Sequence, residues 1–142
     1  MTPTALAAAV CIGAISHVVD GDTLDLACHG GDVLRVRLAD VDAPEMRGCS
    51  RDLGRAAQAV VEYELGPGED WPGELVAWSE RRRDRYGRSV GDGVVLTGFF
   101  AGLDLTTAIV SAGERHGVET LRPWRHVGGR AVEPRPDWCG HD

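Results

Sequence analysis

The sequence predicts an α+β fold, mainly β, in which five strands close into a small Greek-key barrel and two to three helices cover it. Three observations carry that prediction. Short apolar, β-branched segments alternate with Gly, Asp and Pro punctuation over much of the 142 residues. The period turns helical over 50–65 and again over 103–113. The resulting order, three strands, a helix, two strands and a helix, suits a barrel with a helix plugging one end.

The elements follow in order. Residues 6–27 read as a hairpin, with β-favourable residues on both sides of "DGDT" (20–23). The opening "MTPTALAAAVCIGAI" is apolar and small but lacks the basic start of a signal peptide, so much of it reads as the first strand. A Gly30-Gly31 turn introduces a third strand over 32–41, and Pro44, which has no amide proton for a ladder, stops it. Over 50–65, Leu53, Ala57, Val60, Val61 and Leu65 fall on one helical face behind Ser50 as N-cap. "GPGEDWPG" breaks that helix, and strands are expected over 74–80 and 88–100, the second irregular at Gly91 and Gly93. A short helix over 103–113 has Asp104 as N-cap and Gly113 as its stop. The expected organisation is one domain over 1–142, of the OB type, with an irregular tail over 119–142. That architecture carries no function by itself.

Composition narrows the classes. With 43% hydrophobic and 26% charged residues, and no apolar run near the ~20 residues of a membrane helix, the chain is not expected to span a membrane. A net charge of −7 counts against indiscriminate attraction to polyanions. All fifteen basic residues are nevertheless Arg, bunched at "RRRDRYGR" (81–88), and Arg suits bidentate contacts with phosphate or carboxylate. For Arg81, Arg82 and Arg83 a solvated charge run explains the pattern equally well. Cysteines at 11, 28, 49 and 139 have no CxxC spacing; they suit two disulfides in an oxidising compartment or buried thiols in a reducing one, and sequence leaves the connectivity open.

The chemistry concentrates at two turns. Asp20 and Asp22 flank Gly21, and Asp42 and Glu45 flank Ala43-Pro44. Side by side, such turns form an oxygen-rich pocket for a hard divalent cation, which makes the repulsion between the carboxylates tolerable. Taken alone, "DGD" is an ordinary hairpin turn. Arg37 lies five residues before Asp42, so an unbroken strand would point the two to opposite faces; a shared site requires a bend within "ADVDAP". Arg88 would arrive from another strand, and two arginines opposite a carboxylate-bound cation describe a site for a phosphoryl group.

"VVDGDTL", "VRLADVDAPE" and "RDRYGRSVG", in this order and at these separations, resemble the signature of the staphylococcal nuclease (thermonuclease) family. The resemblance spans about residues 14–118, and "HVGGRAVEPRPDWC" is similar to the ending of exported bacterial members. It implies an OB-fold barrel with a Ca2+-dependent phosphodiesterase site for DNA and RNA, single-stranded by preference. The expected protein is a secreted or periplasmic monomer with no membrane partner. Residue by residue, Asp22 and Asp42 match the calcium-ligating aspartates, with the Ala43 backbone carbonyl beside them and Asp20 behind. Glu45 matches the glutamate that positions or deprotonates the attacking water, Arg37 and Arg88 the arginines that hold the phosphate, and Arg85 and Tyr86 positions touching a terminal phosphate. The cysteines could pair as Cys49 with Cys139 and Cys11 with Cys28. Where a member of the family carries a base-stacking aromatic, this chain has "ERHGVET", leaving His116 and Trp124 as candidates. The alternatives are a catalytically weak module that binds nucleic acid or protein, and an OB barrel for oligosaccharide or protein. The complete set Asp22, Arg37, Asp42, Glu45 and Arg88 separates the nuclease reading from both.

Overall fold

The computed structural model describes residues 9–118 together with 122–123, 126–127, 130–131 and 138–139. Strands β1 (Cys11–Asp20), β2 (Thr23–Cys28), β3 (Val33–Leu38), β5 (Leu75–Arg83) and β6 (Ser89–Val95) close into a barrel in the order β1-β2-β3-β6-β5. Pairings are antiparallel except β3 with β6, which is parallel. This is the expected α+β OB-type barrel with two helices, α1 (Arg51–Leu65) and α2 (Leu105–Arg115).

Alternation fills the interior. Ile15, Val18, Leu24, Leu26, Val36 and Leu38 are fully buried because every second side chain of a strand faces the axis. A bulge between Ile15 and His17 leaves Ser16 and His17 outside and returns Val18 to the core. Trp78 is the largest fully buried side chain, and its indole N–H donates to Ser89 Oγ at 2.8 Å, so burying that polar atom carries no penalty.

Helix α1 closes one end with Ala57, Val60, Val61 and Leu65 turned inward, while Gln58 Nε2 donates to the Val18 carbonyl at 2.9 Å. Two details depart from expectation. Leu53 points outward and Gly54 takes the inner position, because a Cβ at Gly54 would collide with the Glu45 and Pro44 carbonyls. Ser50 stands at the N-cap, but its hydroxyl donates to the Glu45 carbonyl at 3.0 Å instead of accepting from a helix amide.

Other boundaries also move. The expected strand over 32–41 is split: β3 ends at Leu38, the chain turns, and β4 (Val41–Asp42) runs separately. β5 extends to Arg83 because β6 pairs with it as far as Arg83 opposite Ser89. β6 stops at Val95 instead of running to residue 100; Gly98, at φ 79°, turns the chain back, and Phe100 plugs the core. Asp104 caps α2 as expected, accepting from the Thr107 amide at 2.6 Å. Gly113 does not end α2: it is buried within the helix, which runs to Arg115, and the left-handed residue that follows is Gly117 at φ 68°. The stretch expected as tail contributes three two-residue strands: β7 (Arg122–Pro123) pairs with β4, and β8 (His126–Val127) with β9 (Arg130–Ala131). Disulfides join Cys11 to Cys28 and Cys49 to Cys139, with Cα separations of 5.3 and 5.4 Å. Among the described residues no helix is long and apolar enough to cross a membrane.

Candidate active site

The site grows from the β1–β2 turn. Asp20 Oδ1 accepts the Asp22 amide at 3.1 Å, which tightens the turn and sends the Asp22 carboxylate inward. Asp22 is then 4% exposed and accepts from Thr23 Oγ1 at 3.0 Å and from the Ala43 amide at 3.2 Å. The second bond spans twenty-one positions and draws the Asp42-Ala43 segment against the turn. Asp42 itself is 1% exposed.

The bend demanded by parity is present. Arg37 leaves β3 on the face opposite Val36 and Leu38, and the chain folds over it: Arg37 Nη1 donates to the Val41 carbonyl at 2.9 Å and also to the Leu38 carbonyl. Arg37 Nη2 lies 3.4 Å from Asp22 Oδ2. Burial drives the Asp22 carboxyl up to about pH 7; Arg37 opposes the shift, and the neighbouring Asp20 reinforces it.

Arg88 follows the turn between β5 and β6, which is organised by Asp84. Asp84 Oδ1 accepts the amides of Tyr86 and Arg88, each at 2.9 Å, and Oδ2 accepts Arg88 Nε at 2.7 Å. Burial alone would raise the Asp84 carboxyl, but those bonds from Arg88 and Tyr86 outweigh it and hold it below its ordinary value. Tyr86, 69% exposed, lies with its ring centroid 4.9 Å from the Arg85 guanidinium carbon and 5.4 Å from that of Arg88.

Two cavities meet at these side chains. One, of about 450 Å³, is lined by Arg37, Arg82, Asp84, Arg85, Tyr86 and Arg88 among others. The other, of about 400 Å³, is lined by Asp20, Glu45, Arg47, Tyr86 and Arg88 among others. Tyr86 and Arg88 are common to both walls. The four acids expected in one pocket thus divide: Asp22 and Asp42 are buried and line neither cavity, while Asp20 and Glu45 line the second. Among the described residues no three His, Cys, Asp or Glu side chains form a group able to hold a metal ion by themselves.

Of the two base-stacking candidates, His116 lies away from the cavities. His116 bonds Glu64 at 2.8 Å and packs edge-on against Tyr63, with ring centroids 5.3 Å apart. Trp124 lies outside the described residues. Sequence reasoning missed Asp84, which bonds Arg88 directly, and Gly54, whose missing side chain makes room for the Glu45 carbonyl. The signal for Asp84 was its place four residues before Arg88, at the head of a tight turn; Gly54 gave none.

Fold and site together define a class: an OB-type barrel whose β1–β2 and β5–β6 turns bring acids and arginines to one cleft. The comparisons with known proteins point the same way. The chain is similar to micrococcal nuclease of Shigella flexneri, 36% identical over 79 residues that make up 56% of this chain and 40% of that protein. It is also similar to protein ParB of Escherichia coli, 35% identical over 79 residues, 56% of this chain and 39% of that protein. The matches thus span about two fifths of the length of these relatives. No family model matches the chain.

Proposed function

We propose that this protein is a calcium-dependent nuclease that hydrolyses phosphodiester bonds of DNA and RNA with little sequence specificity. One observation carries the reading: Arg88 lines both cavities, with Arg37 on one side of it and Glu45 on the other. A phosphoryl group resting on Arg88 would face a second guanidinium and an exposed carboxylate. The match to a micrococcal nuclease supports the same reading.

The roles follow from how each group is held. Asp84 occupies Arg88 Nε, which leaves the terminal nitrogens for a ligand oxygen, and Asp22 with the Val41 carbonyl fixes Arg37. Two guanidiniums held in this way offer positive charge that needs no rearrangement as a five-coordinate phosphorane-like transition state gathers negative charge. Glu45 sits in an exposed loop that Ser50 and Gly54 hold in place, within reach of solvent, and serves as the general base for the attacking water. Arg85 and Tyr86 contact the terminal phosphate.

Asp22 and Asp42, with the Ala43 carbonyl, would supply the oxygen donors for a hard divalent cation completed by water, and Asp20 orients Asp22 from behind. A cation bound there would offset the burial that raises the Asp22 carboxyl. When bound, calcium supplies Lewis-acid polarisation of a phosphoryl oxygen. The two disulfides suit an oxidising compartment, so the protein is proposed to work outside the cytoplasm, as a single-domain monomer over 1–142.

The test is digestion of single-stranded DNA and RNA with millimolar calcium, repeated with chelator. Cleavage that the chelator stops supports the proposal. Substrates that stay intact yet bound would replace it with a binding module.

A further inference from the structure

The cleft carries two more cations that the proposed chemistry does not use. Arg82 lines the first cavity and Arg47 the second, on either side of the shared Tyr86–Arg88 wall. Both are exposed, and neither has a carboxylate partner among the described residues. Their neighbours behave differently. Arg81 is tied to Asp40 at 2.9 Å and Arg83 to Glu80 at 2.6 Å, so the run "RRR" neutralises its first and third members and leaves the second uncompensated at the cavity.

Both backbones are anchored. Arg82 is paired with Val90 across β5 and β6, just past a bulge, and the Arg47 carbonyl accepts from Ser50 Oγ at 3.4 Å, two residues from the Cys49–Cys139 disulfide. The two arginines thus enter from anchored backbones, one in each of the two cavities that share Tyr86 and Arg88. In a chain of net charge −7, uncompensated cations lining both adjoining cavities suit a polyanion that extends beyond a single phosphate.

We propose that Arg47 and Arg82 are phosphate subsites that hold the backbone of a single-stranded polynucleotide on either side of the group resting on Arg88. This rests on the nuclease reading for the position of the central phosphate. It adds that the substrate is a strand running through the cleft in both directions, so that internal bonds are engaged.

The test is binding without turnover, in EDTA, by fluorescence anisotropy of a labelled single-stranded DNA 12-mer over a range of salt concentrations. Arg47→Ala and Arg82→Ala should each weaken binding several-fold at low salt and flatten the log Kd against log[salt] slope by about 0.7, the value for one single-strand phosphate contact. Arg82→Lys should keep the slope. Arg55→Ala, which removes an exposed arginine of α1 that lines neither cavity, should change nothing. A dinucleotide carrying one phosphate should bind the wild type and both variants alike, which separates a strand subsite from a general anion site. Unchanged slopes in both alanine variants, with circular dichroism showing native folding, would overturn the proposal, as would a wild type that does not bind the 12-mer. Slopes that fall as expected in a protein that cleaves nothing would sink the nuclease reading and leave the subsites standing.

Discussion

Replacing Asp22 by Asn should make the metal-free protein more stable at neutral pH while abolishing its response to calcium. Burial raises the Asp22 carboxyl from 3.8 to about 7, so the folded state holds a proton that the unfolded chain has released over that interval. Stability from this group therefore falls as pH rises from about 4 to about 7, and the full cost is present above pH 7. At roughly 1.4 kcal/mol for each pK unit, that cost is about 4 kcal/mol at pH 8 and less than half of that at pH 5. An asparagine of the same shape keeps the bonds: its carbonyl accepts from the Ala43 amide and faces Arg37, and its amide donates to Thr23 Oγ1, which can accept instead of donate. Urea unfolding in EDTA should thus show a gain for Asp22→Asn that grows by about 3 kcal/mol between pH 5 and pH 8. With calcium added at pH 8 the wild type should recover stability through binding and the variant should not. A variant less stable than wild type at both pH values, or a gain that does not change with pH, would refute the placement of a strained, cation-seeking carboxylate in this turn.

Other substitutions probe the rest of the cleft. Glu45→Gln and Arg88→Ala should each lower phosphodiester hydrolysis by about 10²–10⁴-fold, with melting temperatures within a few degrees of wild type, because both side chains face solvent at least in part; a rate assay paired with a thermal melt checks this. Asp84→Asn should lower kcat more than it raises KM, since the loss falls on the orientation of Arg88, and steady-state kinetics on an oligonucleotide separates the two. Gly54→Ala should destabilise the fold by about 1–3 kcal/mol and reduce hydrolysis together, because its methyl meets the Glu45 backbone; unfolding curves and rates that move independently would contradict that linkage.

The barrel was legible because its signals are local. Gly and Asp punctuation placed the β1–β2 turn and the start of β3, and helical spacing placed α1 within one residue of its observed start. The parity of Arg37 and Asp42 required a break in the third strand, and the chain turns after Leu38. The misreadings come from residues whose meaning depends on a distant neighbour. Gly113 reads as a helix stop by type, yet it is buried within α2, and Gly117 provides the left-handed turn. Ser50 reads as a cap, yet its hydroxyl answers the Glu45 carbonyl. The same dependence hid Asp84, whose bonds to Arg88 appear only once the β5–β6 turn closes.

An acidic protein that handles a polyanion needs its positive charge to be local, and the ion pairs show how this one achieves it. Outside the cleft several guanidiniums are matched to a carboxylate: Arg35 to Asp25, Arg81 to Asp40, Arg83 to Glu80, Arg115 to Glu64. Such pairs cancel at distances beyond the ~10 Å Debye length of dilute buffer, so an approaching strand senses mainly the net charge of −7. Inside the cleft Arg37 and Arg88 are held by buried or half-buried acids, and Arg47, Arg82 and Arg85 face the cavities without a carboxylate partner among the described residues; outside it, Arg51 and Arg55 on α1 are likewise exposed without such a partner. Encounter is therefore unassisted by long-range steering, and affinity depends on contacts made after arrival. Raising ionic strength should then slow association little while speeding dissociation, the reverse of a basic nucleic-acid binder, whose association rate falls steeply with salt. Stopped-flow association and dissociation rates for a single-stranded oligonucleotide at two salt concentrations distinguish the two cases, and an association rate that falls steeply with salt would show that the cleft field reaches well beyond its rim.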